Sequence, residues 1–385
     1  FILPFFLFSA LAGQLADKFE KSVLIRRIKI AEIVIMCLAA TGFTLGNMSL
    51  LMFVLFLMGS QSTLFGPLKY GILPQHLQES ELTGGNGMIQ MGTYVAILLG
   101  TIIGGVLIAI KPGGPYLVSA LVITVAASGW LSSRLIPRAP APEPDLKINW
   151  NVVQATWWIM GFAHENRKVF WSIIAVSWCW FYGATLLSLI PSYTRDVLAG
   201  NELIATLLLT AFSVGIGTGS LLCEKLSGGH IETGLMPIGA AGLSLCALDL
   251  FITGQPIAPA TSAELVTAGQ FLSDSSGWRI LLDICLLGGF GGIYIVPLYA
   301  LIQNLSSHAR RARIIAANNI LNALFMVFSA LLTISLISMS IGIPVIFLIV
   351  SVLNILMLVL LIARVPEFWS RCVELLRLKN PGRQS

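Results

Sequence analysis

Charge is scarce in this chain. Only 11% of its residues are Asp, Glu, Lys or Arg and 56% are hydrophobic, against about a quarter charged in a soluble domain. That excludes a soluble globule. The six cysteines (Cys37, Cys179, Cys223, Cys246, Cys285, Cys372) are scattered, with no C-x-x-C pair. Neither a disulfide framework nor a zinc site is indicated, and they read as small apolar packing residues. The chain also lacks a nucleophile–base constellation, a metal-ligand cluster and a phosphate-cradling loop. An enzyme with its own active site is therefore the least favoured reading, and no cofactor or metal is expected. Aromatic and basic residues do not interleave as on a nucleic-acid-binding face, so the net charge of +5 calls for no nucleic-acid partner.

Long apolar runs take the place of what is missing. They cover 1–16, 28–46, 48–66, 85–110, 114–136, 169–193, 203–222, 233–254, 278–303, 314–338 and 342–363. At about 1.5 Å per residue, most are long enough to cross a hydrocarbon core of roughly 30 Å as helices. All but Lys111, Arg195 and Arg279 of the 23 basic residues fall in every second gap between these runs. Basic loops stay cytoplasmic, so the alternation predicts a multi-pass membrane protein with its C-terminus in the cytoplasm. The same parity places Phe1 on the outer face. The chain begins inside an apolar run without a charged n-region, which is not a signal peptide, and one further helix upstream is expected. Restoring it gives twelve helices.

The longest cytoplasmic stretch, 137–168, opens with prolines at 137, 140, 142 and 144. Proline at this spacing removes backbone donors and favours extended structure, so the stretch reads as a linker. Val152 to Phe162, with Trp157 and Trp158, is expected to form a short interfacial helix. The organisation read from this is an N-terminal bundle over 1–136 lacking its first helix, the linker over 137–168, a six-helix bundle over 169–363 and a tail over 364–385. The halves echo one another. Gly13 to Lys18 returns as Gly219 to Lys225, Phe65-Gly66-Pro67 as Phe290-Gly291-Gly292, and Asn86 with Gln90 as Asn318 with Asn322, each amide pair on one helix face. Parallel halves around a central site are the implied architecture.

Gly13-x-Leu15-Ala16-Asp17-Lys18, followed by Arg26-Arg27, sits in a tight basic loop. The glycine permits close helix approach, and the carboxylate can meet a neighbouring helix N-terminus. This resembles the loop signature of the major facilitator superfamily. The run Gly100 to Gly105 is similar to that superfamily's glycine-rich fifth-helix motif, with Thr101 where proline is usual. The resemblance implies an all-α fold of two six-helix bundles, with Asp17, Lys18, Arg26, Arg27, Glu224, Lys225 and Arg313 acting at the cytoplasmic gate.

Leu64-Phe65-Gly66-Pro67-Leu68-Lys69-Tyr70-Gly71 closes one helix. Gly66-Pro67 is expected to break or kink it. Lys69 can snorkel to the headgroups or turn inward to hold an anionic group such as a phosphate, with the Tyr70 hydroxyl beside it. Pro67-x-Lys69-Tyr70-Gly71-Ile72-Leu73 with Asn86-Gly87-x-x-Gln90 resembles the bacterial lysophospholipid transporter family. The likeness is strongest to the transporter portion of its fusions with acyltransferase and acyl-carrier-protein synthetase domains. Gly215 to Lys225, Tyr294 to Gln303 and Arg313 to Asn322 carry the same resemblance. It implies flipping of lysophosphatidylethanolamine-type lipids to the cytoplasmic leaflet for reacylation by an acyltransferase partner, fused or separate. Any acyltransferase chemistry would lie outside this chain. Stand-alone members carry an arginine in the helix after the linker, whereas 169–193 carries no charge.

The remaining polar residues within the runs are mostly amides and hydroxyls: Gln61, Asn86, Gln90, Tyr94, Tyr299, Gln303, Asn318, Asn319 and Asn322. They suit a zwitterionic headgroup, and each amide also reads as interhelical hydrogen-bond glue. Arg279 and Asp283 are spaced for a local salt bridge. No acidic relay is visible near the midplane, which favours flipping drawn by consumption of the lysolipid inside. Two alternatives stay open: a proton-coupled exporter of amphiphilic compounds, and a membrane anchor for a fused acyltransferase.

Overall fold

The computed structural model describes residues 1–254 and 265–378. The last basic residues of the tail, Lys379 and Arg383, lie outside the described residues. Fifteen α-helices follow one another: α1 Leu3–Lys18, α2 Lys21–Leu45, α3 Met48–Gly71, α4 Leu73–His76, α5 Leu82–Ala109, α6 Gly114–Ser133, α7 Val152–Glu165, α8 Arg167–Ser192, α9 Glu202–Ser227, α10 Leu235–Thr253, α11 Ala268–Ser273, α12 Ser275–Leu305, α13 Arg311–Ser338, α14 Ile343–Arg364 and α15 Glu367–Leu378. A π-helical turn, Tyr193–Val197, continues α8. Among the described residues the only pairing of extended backbone is one bridge between Gly200 and Val266. Among the described residues ten helical stretches are long and apolar enough to cross a membrane, and α1, at 16 residues, is shorter than these. The protein is therefore a polytopic, all-α membrane protein.

Helix boundaries follow local chemistry. Asn47, Asn151 and Asn201 stand before α3, α7 and α9, and each side chain accepts a backbone N–H of the first turn, supplying a partner the helix itself cannot provide. Gly46 after α2 and Gly228 after α9 adopt left-handed conformations with φ of 61°, where a β-carbon would be strained. The expected break at Gly66-Pro67 does not occur. Pro67 lies inside α3, which runs on to Gly71. Transmembrane helices tolerate proline because neighbouring groups re-satisfy the freed carbonyl.

The helices form two compact units. The first comprises 1–78, 99–170 and 302–323, and the second 79–98, 171–301 and 324–378. In the first unit α2 packs along α6 and α3, and α1 along α3. Ile35, Met36, Ala39, Val54 and Ala126 make one buried cluster, while Ala16, Ile25, Leu68 and Ala312 make another. The proline-rich linker is tied to the end of α1. The Lys21 N–H donates to Ala139 O, the Glu143 N–H to Asp17 O, and Lys18 Nζ to Leu146 O at 2.9 Å. Gln14 exchanges two hydrogen bonds with the Asn149 backbone. The short helix expected from 152 is α7, which runs on to Glu165. It buries Ala155, Ile159 and Ala163 and leaves Trp157 exposed.

In the second unit α10 and α14 pack together through polar glue. Asn354 donates to Ala240 O and Ser244 Oγ and accepts from Trp178 Nε1, all at 2.8 Å. The backbones of α9 and α12 approach closely where Gly215, Gly219, Gly288 and Gly292 meet, the small-residue packing that replaces a hydrophobic drive inside lipid.

Candidate functional site

At the end of α1 on the side of the basic loops, Asp17 is fully buried and caps the N-terminus of α13. Its carboxylate accepts the N–H groups of Ala312 at 3.1 Å and Arg313 at 3.2 Å, and Arg313 Nε at 2.9 Å. Charge and helix dipole act together here. Arg313, itself 1% exposed, also donates to Ala309 O at 2.7 Å and to the Glu143 carboxylate of the linker. The Trp158 and Phe162 rings of α7 lie 5.3 and 5.4 Å from its guanidinium carbon, within cation–π range. Gly13 makes the approach possible. A β-carbon there would lie 2.8 Å from Ala316 Cβ and 2.9 Å from Arg313 Cα. The assembly forms a latch between segments before and after the linker, all within the first unit.

Other residues expected at the gate divide. Lys18 and Arg26 hold backbone carbonyls of the linker side: Leu146 for Lys18, and Ser133 and Ile136 for Arg26. Arg27 and Lys225 are exposed. Glu224 belongs to the second unit and, unlike the buried Asp17, is exposed. It stands over the first turn of α5, and a β-carbon on Gly84 would lie 2.6 Å from its carboxylate carbon. Gly87, one turn on, would carry a β-carbon 2.6 Å from Ser220 O.

The expected binding residues fall in both units. In the first, the C-terminal turns of α3 run beside the start of α13, since Gly71 faces Ala312 and Ile315, and Gly66 faces the Asn319 amide. Lys69 is half-buried on this stretch of α3. Its ammonium lies 4.7 Å from the centre of the Tyr70 ring, and no carboxylate among the described residues pairs with it. On α13 Asn318, Asn319 and Asn322 are buried, and both amide atoms of Asn318 lack a hydrogen-bond partner. Gln61 takes the glue role instead. It donates to Glu32 Oε2 at 2.8 Å, and Lys29 pairs with the same oxygen. In the second unit Asn86 and Gln90 are buried on α5, with Asn86 donating back to Leu82 O. Tyr299 is buried on α12 and accepts from Trp180 Nε1 at 3.4 Å.

Two features escaped sequence reasoning. Glu143 reaches Arg313 from inside the proline-rich run, and only its being the first acid among the prolines signalled it. Arg279 turns away from Asp283 to clamp Asp249 on α10, with Nε donating to Oδ2 at 2.8 Å and Nη2 to Oδ1. The i, i+4 salt bridge is replaced by one between helices.

The family model described as Major Facilitator Superfamily matches residues 1–273. Among curated proteins, the chain is similar to the lysophospholipid transporter LplT of Photorhabdus laumondii, with 29% identity over 79% of this chain and 69% of that protein. It is similar also to LplT of Klebsiella pneumoniae, with 28% identity over 80% of this chain and 70% of that protein. Among solved structures, the fold matches the human organic anion transporter MFSD10 at a TM-score of 0.73 and 14% identity, over 94% of this chain and 81% of that one. The transporter FucP in its outward conformation matches at a TM-score of 0.66 and 13% identity, over 94% and 88%.

Proposed function

The chain belongs to the Major Facilitator Superfamily, and from that premise we propose that it carries lysophospholipids of the lysophosphatidylethanolamine type to the cytoplasmic leaflet of a bacterial inner membrane. The observation that carries the reading is Lys69. A half-buried ammonium with an aromatic neighbour and no counter-carboxylate offers its charge to an anion. The phosphate of a lysolipid headgroup is such an anion. Within the same unit Tyr70, Asn318 and Asn322 supply hydrogen-bonding groups for the rest of the headgroup, and apolar helix faces accept the acyl chain. Curated relatives similar to four fifths of the chain bear the name lysophospholipid transporter, in agreement with that chemistry.

The movement is alternating access between two bundles divided at the linker. The Asp17–Arg313 latch, with Glu143, Lys18 and Arg26, closes the cytoplasmic ends and must open to release lipid inward. Glu224, exposed over the start of α5, acts at the gate of the other half-repeat. The C-terminus faces the cytoplasm, where an acyltransferase or acyl-carrier-protein synthetase, fused or separate, consumes the delivered lysolipid.

Binding of lysophosphatidylethanolamine to the purified protein tests the site. Losing one charge-assisted hydrogen bond, about 1.5–3 kcal/mol, weakens affinity about ten- to a hundredfold. Lys69→Ala should show that loss and Lys69→Arg should recover most of it. Equal affinity in all three proteins would return Lys69 to the headgroup interface.

A further inference from the structure

Within the second unit, at the helix ends away from the basic loops, lies a cavity of about 460 Å³. The end of α8, the glycine after α10 and the turn from α13 into α14 line it. Its volume is in the range of small-molecule sites, which combine apolar walls with a few placed polar groups. This lining has that make-up: Ile337, Ile341 and Val345 stand among its apolar residues, and Ser192, Asp196 and Ser340 are its polar ones. None of them belongs to the lipid site around Lys69.

The polar groups of the lining are unspent. Hydroxyls nearby are used on their own helices, Ser188 on Thr185 O, Thr194 on Ile190 O and Ser338 on Ser335 O. Those of Ser192 and Ser340, and the Asp196 carboxylate, have no side-chain partner among the described residues. Asp196 is the one charge among the described residues of the lining, and its chain neighbour Arg195 does not line the cavity. The backbone that presents these groups is unusual at two points. Asp196 sits on the π-helical turn that continues α8, and such turns are frequent at functional sites. Ser340 holds a left-handed conformation with φ of 59°, which a residue with a β-carbon keeps where its surroundings fix it, as at ligand clamps.

We propose that this cavity receives the headgroup of lysophosphatidylethanolamine on the side away from the basic loops, with Asp196 as the residue that selects its ammonium. The Asp196 carboxylate accepts N–H bonds from the ammonium, a charge-assisted pairing. The Ser192 and Ser340 hydroxyls donate to the phosphate, and the first methylenes of the acyl chain lie on Ile337, Ile341 and Val345. A single carboxylate suits a cation, apolar walls suit an amphiphile, and a zwitterion uses both the carboxylate and the hydroxyl donors. The choice of lipid rests on the lysophospholipid reading, which assigns no carboxylate to the ammonium.

A reporter cysteine tests the site without reference to transport. Val345, 39% exposed on the cavity wall, is replaced in an otherwise cysteine-free protein in proteoliposomes. Lysophosphatidylethanolamine should slow the reaction of Val345→Cys with an impermeant maleimide. Its N-acetyl derivative keeps the phosphate and the chain but lacks the ammonium. That lipid should need about ten times the mole fraction for the same protection, as for one lost charge-assisted hydrogen bond. Adding Asp196→Asn should erase the difference. Equal protection by the two lipids with Asp196 in place overturns the proposal, and so does a difference that survives Asp196→Asn. Protection by dodecylamine but not by the lysolipid overturns the lipid assignment and makes the cavity a site for simple amphiphilic amines. Flipping of the lysolipid without protection at Val345→Cys overturns the site and leaves the transport reading standing. Selective protection without any flipping supports the site and counts against that reading.

Discussion

Asp17 and Arg313 show how much rests on single side chains. Breaking a buried pair by removing one partner typically costs about 3–5 kcal/mol, because the other charge is stranded. Asp17→Ala and Arg313→Ala should each lower the thermal midpoint in detergent clearly, and the double variant should lose less than the sum of the two. Additive losses in a double-mutant cycle would show that the two do not act as a pair. Glu20 gives a pH-dependent counterpart. The Ser22 hydroxyl and the Ala139 N–H donate to its carboxylate and hold it below the usual glutamate range. A carboxyl with a lowered folded pKa stabilises above its unfolded pKa and loses that contribution as pH falls. Glu20→Gln should therefore melt below the wild-type protein at neutral pH, with the gap closing below about pH 4. A gap that persists at low pH would contradict the sign. Legibility at this scale is uneven. Asp17 was readable because glycine and carboxylate at that spacing imply a close helix crossing and a cap. Gln61 was not, because an amide on a helix face has no signature for whether it meets a cavity or Glu32. Glu143 and Asp249 were not either, because spacing along one helix says nothing of partners on another segment.

Helices were the most legible elements, since an apolar run of membrane length between alternately basic loops has few other readings. Of the break or kink expected at Pro67, the break is absent, since α3 continues through it to Gly71. The tail helix α15 also went unread, although Phe368, Cys372 and Leu375 recur at helical spacing and are buried. Glycines that read as permissive turned out to set helix separation. A β-carbon at Gly219 would fall on the Gly289 backbone of α12. Gly219→Val should thus force α9 from α12, at about 1–3 kcal/mol or more for an overpacked contact. The check is a lowered midpoint, with Gly291→Ala as control, since a β-carbon there meets nothing within 4 Å. An unchanged midpoint in Gly219→Val would mean that the two helices have freedom to part.

For the whole molecule, charge alternation predicts orientation. In a cysteine-free background, Lys111→Cys should react with an impermeant maleimide from the periplasmic side, and Lys225→Cys only after the membrane is opened. The reverse pattern would invert the topology. Of the repeat proposed from the sequence, the glycines correspond, since a β-carbon at Gly13 or at Gly219 would strike the backbone of a neighbouring helix, whereas the acids differ, Asp17 being a buried cap and Glu224 exposed. The substrate class came from chemistry and likeness together: an unpaired ammonium, buried amides and relatives that bear a lysophospholipid transporter's name. The measurement that meets this claim most directly is flipping of labelled lysophosphatidylethanolamine in proteoliposomes, compared with empty liposomes and with diacyl phosphatidylethanolamine as a second substrate. The account predicts protein-dependent flipping of the lysolipid in preference to the diacyl lipid. Well-folded protein that moves neither would contradict it.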